Sequence, residues 1–136
     1  MARILCIDYG LKRCGVAVTD PLQIAVHGLV TVDKKDLFEY IVDYCREEDV
    51  SKLVLGHPEL DTGRRTPVVQ SLEDFAEKIK RALPAMEIDL HDESYTSQDA
   101  ADIILSSGIG RKKRRDKALV DKVSAVIILQ DYLGHI

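Results

Sequence analysis

The sequence has little that could form a disulfide framework or a structural zinc site. Its 136 residues include three cysteines, Cys6, Cys14 and Cys45. An odd number of cysteines without a CxxC pair favours reduced thiols, because frameworks and zinc sites need paired or closely spaced cysteines. We expect Cys6 and Cys14 to serve as small apolar residues inside strands.

Long apolar runs and aromatic clusters are also missing. No stretch approaches the ~20 apolar residues of a membrane span, and the apolar run after Arg3 stops at Asp8, which is too short for a signal peptide. These absences predict a cytoplasmic protein with no membrane partner. The five tyrosines and two phenylalanines form no stripe of the kind on which single-strand binders stack bases.

The composition is typical of one soluble globular domain. Hydrophobic residues make up 46% of the chain and charged residues 31%, which is enough for one core but not for two large lobes. We therefore assign residues 1–136 to a single domain. The formal net charge of −4 argues against nucleic-acid binding in general.

One unbroken basic run nevertheless stands out from this acidic background. Its members are Arg111, Lys112, Lys113, Arg114 and Arg115. A local cluster of this density can bind phosphates on an overall acidic protein. The alternative is a solvent-exposed loop with no binding role.

Hydrophobic periodicity predicts the order β-β-β-α-β-α-β-α-α. The predicted strands cover residues 3–9, 14–20, 24–32, 51–56 and 86–90. Four helices are predicted: one capped by Asp33, one from Thr66 to Pro84, a short one ending near Leu105 and one from Asp116 through Leu133. The first three strands form an antiparallel meander. Strand–helix–strand connections imply right-handed crossovers between parallel strands.

The predicted fold class is therefore α/β, with a mixed five-stranded sheet and helices on both faces. The meander of strands 1–3 joins the parallel strands 1, 4 and 5. Ligands of such sheets bind near the carboxyl ends of the parallel strands. Asp8 lies near that end of the first strand, and Glu93 lies just past that end of the fifth.

Asp8, Glu93 and Asp121 form the candidate catalytic constellation. Asp8 follows an apolar strand, where a carboxylate needs a cation, hydrogen-bond donors or a metal ion to offset its loss of water. Asp121 shares a helix face with Ala125 and Ile128, at i+4 and i+7, and so should point toward the sheet. Taken singly, Asp8 could cap its turn and Glu93 could be a surface residue. Asp121 could simply interact favourably with the helix dipole near the start of its helix.

Together, the three carboxylates favour a metal site. Three acids at one edge of a sheet repel one another unless some are protonated or a hard cation neutralises them. Ligation by oxygen without histidine suits Mg²⁺ or Mn²⁺. Such a cluster can hydrolyse phosphodiester bonds by in-line attack.

Four segments of the chain, in order, resemble the YqgF/RuvX family of RNase H-like nucleases, described as Holliday junction resolvases or ribosomal RNA precursor nucleases. The segments cover residues 8–17, 54–58, 92–97 and 117–130. The resemblance implies an RNase H-like fold, with Asp8, Glu93 and Asp121 as the metal-binding catalytic acids. It also implies a cytoplasmic role in maturing the 5′ end of small-subunit ribosomal RNA.

Several further residues are candidates for substrate binding. Besides the basic run, they are Lys12, Arg13, Arg64 and Ser94. Ser94 departs from the family pattern, which usually has arginine there, and a serine can hydrogen-bond a phosphate without neutralising it. The loop after Gly56 departs as well, because it carries Glu59 and Asp61 where the family is usually neutral.

Three functions are consistent with these patterns. The first is a metal-dependent endonuclease acting on precursor 16S RNA, with branched DNA as the alternative substrate. The second, motivated by the Ser94 departure, is a nucleic-acid-binding module with weak or no catalysis. The third is a phosphotransferase of the actin and sugar-kinase kind, which would need a second lobe that 136 residues do not supply. The expected oligomeric state is a monomer or a homodimer, because a two-fold substrate such as a junction calls for a dimer.

Overall fold

The computed structural model describes residues 2–56, 66–91 and 117–134, with side chains of the last segment described from Lys122 onward. Within these ranges the chain forms five strands and three helices: β1 Arg3–Asp8, β2 Arg13–Thr19, β3 Val26–Asp33, α1 Lys34–Glu47, β4 Val50–Gly56, α2 Pro67–Ala82, β5 Glu87–His91 and α3 Lys117–Tyr132. The predicted short helix ending near Leu105 and the basic run lie outside the described residues.

The strands form one sheet in the order β3-β2-β1-β4-β5. β1 runs antiparallel to β2 and parallel to β4, β2 runs antiparallel to β3, and β4 runs parallel to β5. The predicted mixed sheet is therefore confirmed. Its register pairs Asp8 with Gly56 and Gly56 with His91, so the carboxyl ends of β1, β4 and β5 lie in one row.

One face of the sheet is covered by α1 and α2. The start of α2 is the predicted one: Pro67 is its first residue, and the Thr66 Oγ1 atom accepts a hydrogen bond of 3.3 Å from the Val69 N–H. The core on this face is built from the alternate residues of the strands and the periodic residues of both helices. It includes Leu5, Ile7, Val16, Val18, Leu53, Leu55, Leu37, Ile41, Leu72, Phe75 and Ile79.

The opposite face of the sheet is covered by α3. Its core is smaller and contains Ile4, Cys6, Ala17, Val54, Ala125, Ile128 and Leu129. Helices thus lie on both faces, as predicted. Cys6 and Cys14 are fully buried in strands, as predicted. In the part of the chain that is described, no helix has the length and apolar content needed to cross a membrane.

The third strand begins at Val26, two residues later than predicted. The turn that precedes it is longer than the predicted strand bounds allow, because the Asp20 carboxylate accepts hydrogen bonds from the N–H groups of Ile24 at 2.7 Å and Ala25 at 3.3 Å. Gln23 adopts a φ of 60° within this turn. The side chain of Asp20 therefore holds residues that hydrophobic alternation alone would place in the strand.

Strand β5 lies at the edge of the described sheet, and this position affects its burial. Met86 is buried at 6% exposure, but Leu90, on the same predicted face, is 46% exposed. Neighbouring strands bury side chains from both sides in the middle of a sheet and from one side at its edge. Asp33 also differs from expectation: it precedes α1 as predicted, but its side chain makes no capping hydrogen bond.

Cys45 provides a test of this packing. Burial raises the pKa of the Cys45 thiol from its ordinary value of 9.0 to about 11. At pH 8 the thiolate fraction then falls roughly a hundredfold relative to an ordinary thiol, so we expect iodoacetamide to alkylate Cys45 about a hundred times more slowly in the folded protein than in urea. Because folding favours the neutral thiol, the contribution of Cys45 to the free energy of unfolding is complete below about pH 9. This contribution is lost as the pH rises through about 11.

Mass spectrometry of quenched samples measures this rate at each pH. Cys6 and Cys14 serve as internal references, because both are fully buried and should be alkylated only after unfolding. Rapid labelling of Cys45 in folded protein at pH 8 would show that the thiol is not buried as described.

Candidate functional site

Asp8 is the last residue of β1, the central strand of the sheet. Side chains alternate along a strand, and Ile4 and Cys6 belong to the core beneath α3. Asp8 continues this series, so it lies on the α3 face of the sheet. It is half-buried, and the Tyr9 N–H beside it donates a 3.0 Å hydrogen bond to the Gly56 carbonyl, which joins the ends of β1 and β4.

Helix α3 brings Asp121 to the same face of the sheet. Asp121 lies in the second turn of this helix, one turn before Ala125 and two turns before Ile128, both of which are buried against the sheet. Its side chain is outside the described part of the structure. Asp8 and the Asp121 position thus belong to the same layer between the sheet and α3.

Glu93 follows β5 by two residues and lies outside the described residues, so the meeting of all three acids stays a prediction. His91, the last residue of β5, is in register with Gly56, which is itself in register with Asp8. The strand that leads to Glu93 therefore ends at the same edge as Asp8. Among the described side chains, no group of three or more histidines, cysteines or acids is placed to hold a metal ion.

The turn between β1 and β2 is tight and is held by hydrogen bonds between the Gly10 backbone and the Cys14 side chain. The Gly10 N–H donates to Cys14 Sγ at 3.4 Å, and the Cys14 thiol donates to the Gly10 carbonyl at 3.5 Å. A Cβ atom at Gly10 would lie 2.5 Å from the Arg13 carbonyl oxygen. Glycine is therefore needed here for space, and the close turn keeps Lys12 and Arg13 near Asp8 in the chain.

Tyr9 anchors this turn to α2. Its ring is 1% exposed, its centroid lies 5.7 Å from that of Phe75, and its hydroxyl is 2.6 Å from the Ser71 hydroxyl. Sequence analysis gave Tyr9 no role of its own. Strand alternation predicts the burial of Tyr9, because it continues the series of Leu5 and Ile7 on the face covered by α1 and α2.

Two lysines that sequence analysis missed lie beside Lys12. An open groove of about 470 Å³ at the start of α1 is lined by Leu11, Lys12, Asp33, Lys34 and Lys35. The Lys34 N–H donates a 2.8 Å hydrogen bond to the Lys12 carbonyl. The Lys34-Lys35 pair after Asp33 was visible in the sequence, but its closeness to the β1–β2 turn depends on the pairing of β2 with β3.

The other predicted substrate-binding residues cannot be placed. Arg64, Ser94 and the basic run, residues 111–115, all lie outside the described residues. Arg13 opens β2 and is in register with Asp33 of β3. Lys12 and Arg13 are thus the two members of the predicted set whose surroundings the structure describes.

A polar cluster joins the end of α3 to β4 and β5, and we call it the α3–β5 cluster. It consists of Lys52, Asp89, His91, Asp131 and Tyr132. The Tyr132 hydroxyl donates to Asp89 at 2.7 Å and accepts from the Lys52 ammonium at 2.9 Å. The His91 Nε2–H donates to the Asp131 carboxylate at 2.8 Å, and the His91 ring meets the Tyr132 ring edge-on, with 5.4 Å between centroids.

The electrostatics of this cluster follow from these contacts. The hydrogen bond to Tyr132 raises the pKa of the Lys52 ammonium. Burial raises the pKa of the Tyr132 hydroxyl. The bond between His91 and Asp131 could not be predicted from the sequence, because no local pattern connects residues forty positions apart.

Comparison with known proteins identifies the family. A family model described as "RuvX: Holliday junction resolvase" matches residues 2–135. The chain belongs to the RuvX family. The resemblance predicted from the four sequence segments is therefore confirmed.

Relatives within the RuvX family are similar over their whole length. A protein of Porphyromonas gingivalis named "Putative pre-16S rRNA nuclease" is 50% identical over 135 residues, covering 99% of this chain and 98% of the relative. A protein of Amoebophilus asiaticus with the same name is 43% identical over 134 residues, covering 98% of this chain and 95% of the relative.

A solved structure confirms the fold expected for the RuvX family. Thermus thermophilus RuvC in complex with a Holliday junction substrate has a TM-score of 0.58 and 11% sequence identity, covering 98% of this chain and 97% of that chain. The RuvC fold is RNase H-like, so the predicted RNase H-like architecture is confirmed. At this level of identity the comparison shows the fold alone.

Proposed function

We propose that this protein is a metal-dependent endonuclease that hydrolyses phosphodiester bonds in precursor 16S ribosomal RNA, at its 5′ end. The observation that carries the proposal is the position of Asp8, at the carboxyl end of the central strand and on the face against which the helix bearing Asp121 packs. The names of the full-length relatives supply the substrate. This role implies a cytoplasmic enzyme.

The residues at this edge fit a hard divalent cation. Asp8, Glu93 and Asp121 offer carboxylate oxygens without a histidine or cysteine, a donor set suited to Mg²⁺ or Mn²⁺. Half-burial of Asp8 beside an apolar core favours such a partner, because it limits how much water can offset the charge. These carboxylates would hold the ion, which would supply Lewis-acid polarisation of the phosphodiester and activation of water.

Basic residues on both sides of the turn bind the nucleic-acid backbone in this proposal. Lys12 is the last residue of the turn and Arg13 opens β2, and Lys34 and Lys35 line the groove beside the turn. Arg64, Ser94 and the basic run, residues 111–115, extend this substrate-binding set. Because each lysine or arginine that neutralises a phosphate releases a counterion, we expect binding to weaken steeply as salt is raised.

Two alternatives make different predictions. The family description favours branched DNA as the substrate, and a junction would favour a homodimer with two active sites over the monomer that suits a single RNA strand. Ser94, in place of the usual family arginine, favours a binding module with weak catalysis. Both alternatives retain the same basic surface. The first differs from the proposal in the substrate that is cut, and the second in how much cleavage occurs.

The deciding experiment compares substrates and metal conditions in parallel. A 5′-extended 16S transcript, an unrelated hairpin RNA of equal length and a four-way DNA junction are incubated with the protein in Mg²⁺, in Mn²⁺ or in EDTA. We expect discrete cleavage of the 16S precursor alone, and its complete loss in EDTA. Cleavage of the junction alone would select the resolvase alternative, and salt-sensitive binding without cleavage would select the binding module.

A further inference from the structure

The α3–β5 cluster has a role beyond holding a helix on the sheet. We propose that Asp131 and Tyr132 are positioning residues that fix α3 along its axis and thereby set the place of Asp121 relative to Asp8. This inference rests on the proposed function, because it treats Asp8 and Asp121 as ligands of one metal site. The hydrogen bonds involved do not reach the proposed metal ligands; they act on Asp121 through the helix that carries it.

Apolar packing alone leaves the axial position of α3 weakly defined. The core beneath the helix is small, and the contacts of Ala125, Ile128 and Leu129 with the strand residues below them are apolar and therefore non-directional. The sheet also carries glycine at two crossing points: a Cβ atom at Gly28 would lie 2.8 Å from Lys122 Cγ, and one at Gly56 would lie 2.9 Å from Ile128 Cγ2. Side chains of α3 therefore lie directly against the strand backbone at these two positions, where the strand has no side chain of its own.

The α3–β5 cluster supplies the directional contacts that the core lacks. Tyr132 is hydrogen-bonded to Asp89 of β5 and to Lys52 of β4, and Asp131 is hydrogen-bonded to His91 of β5. Hydrogen bonds of this kind tolerate only a few tenths of an ångström in length. A slide of α3 by one residue, about 1.5 Å, would break all three.

The helix transmits this constraint to the candidate site. About 16 Å of helix axis separates Asp121 from Tyr132 at a rise of about 1.5 Å per residue, so a displacement at one end moves the other. Metal–oxygen distances tolerate only about 0.2 Å. His91 strengthens the link, since it is the last residue of β5 and stands two positions before Glu93.

Calorimetric titration with Mn²⁺ tests the inference on folded protein. Tyr132→Phe removes the hydroxyl and keeps the ring, and Asp131→Ala removes the carboxylate that holds His91. We expect each variant, at a temperature well below its unfolding midpoint, to bind Mn²⁺ about tenfold more weakly than the wild type. This is the lower end of the loss that follows removal of a direct hydrogen-bond partner of a metal ligand, because here the bonds act through the helix. Asp131→Asn keeps an oxygen that can accept from His91 and should restore most of the affinity lost in Asp131→Ala.

Val69→Ala is the matched control for lost stability. Val69 is buried at 8% exposure in α2, on the opposite face of the sheet, so its truncation should lower the thermal midpoint and leave Mn²⁺ affinity unchanged. Unchanged affinity in folded Tyr132→Phe and Asp131→Ala would overturn the positioning role and leave the proposed function standing. If the wild type and Asp8→Asn both fail to bind Mn²⁺, the proposed function falls and this inference falls with it.

Discussion

Replacing Asp8 by asparagine is expected to lower metal-dependent cleavage by about a thousandfold or more. The change removes one negative ligand of the proposed ion, and metal stabilisation of the transition state is worth several kcal/mol, where each 1.36 kcal/mol is about tenfold in rate. Asparagine has nearly the same shape, and Asp8 is only half-buried at the end of its strand. The unfolding midpoint in EDTA should therefore stay close to that of the wild type.

Single-turnover cleavage of the 16S precursor measures this effect. Asp43→Asn is the matched control, because it makes the same chemical change at an exposed position of α1 and should retain full activity. RNA binding by Asp8→Asn should persist and remain salt-sensitive. Full cleavage by Asp8→Asn would show that Asp8 is not a catalytic metal ligand.

The second large effect is expected from Gly10→Ala. The added Cβ would lie 2.5 Å from the Arg13 carbonyl oxygen, and this atom belongs to the backbone of the same turn, so the turn itself must open. Forced overpacking of this kind costs about 1–3 kcal/mol of unfolding free energy. Because the turn carries Lys12, we also expect weaker RNA binding, measured by filter binding alongside urea unfolding.

Gly28→Ala is the control for Gly10→Ala, because it adds a crowded Cβ atom at a position outside the β1–β2 turn. A Cβ atom at Gly28 would lie 2.8 Å from Lys122 Cγ and 3.4 Å from Val126 Cγ2, which are side-chain atoms and can shift more easily than the backbone oxygen met at Gly10. Gly28→Ala should therefore destabilise less than Gly10→Ala and leave RNA binding close to that of the wild type. Equal losses in both variants would argue against a special role for the turn.

The central architecture could be predicted because it depends on local patterns. Alternation along β1 and β2 assigns their side chains to the two faces, and Thr66-Pro67 marks the start of α2. The sheet order followed from the meander and the crossovers. The late start of β3 could not be predicted this way, because it depends on hydrogen bonds from one carboxylate to two backbone groups.

The candidate site was predictable in part. Asp8 is visible in the sequence because a charge directly follows an apolar strand. The exposure of Leu90 is not visible, since edge position is a property of the whole sheet. The bonds of Tyr132 to Lys52 and Asp89 are also invisible to periodicity, because their partners come from different elements of the chain. The convergence of Glu93 with the other acids stays a prediction.

The central place of β1 has a consequence for the order in which the chain folds. On one side its partner is the adjacent strand β2, where Asp8 is in register with Gly15, and on the other it is β4, where Asp8 is in register with Gly56. Hairpins form within about 1–10 μs, whereas parallel pairing must first close a long loop. The meander that carries Lys12 and Arg13 is therefore expected to form before the row of Asp8, Gly56 and His91. In the proposed function, the residues that would contact RNA at this turn would therefore take their positions before the edge of the sheet that carries Asp8 is complete.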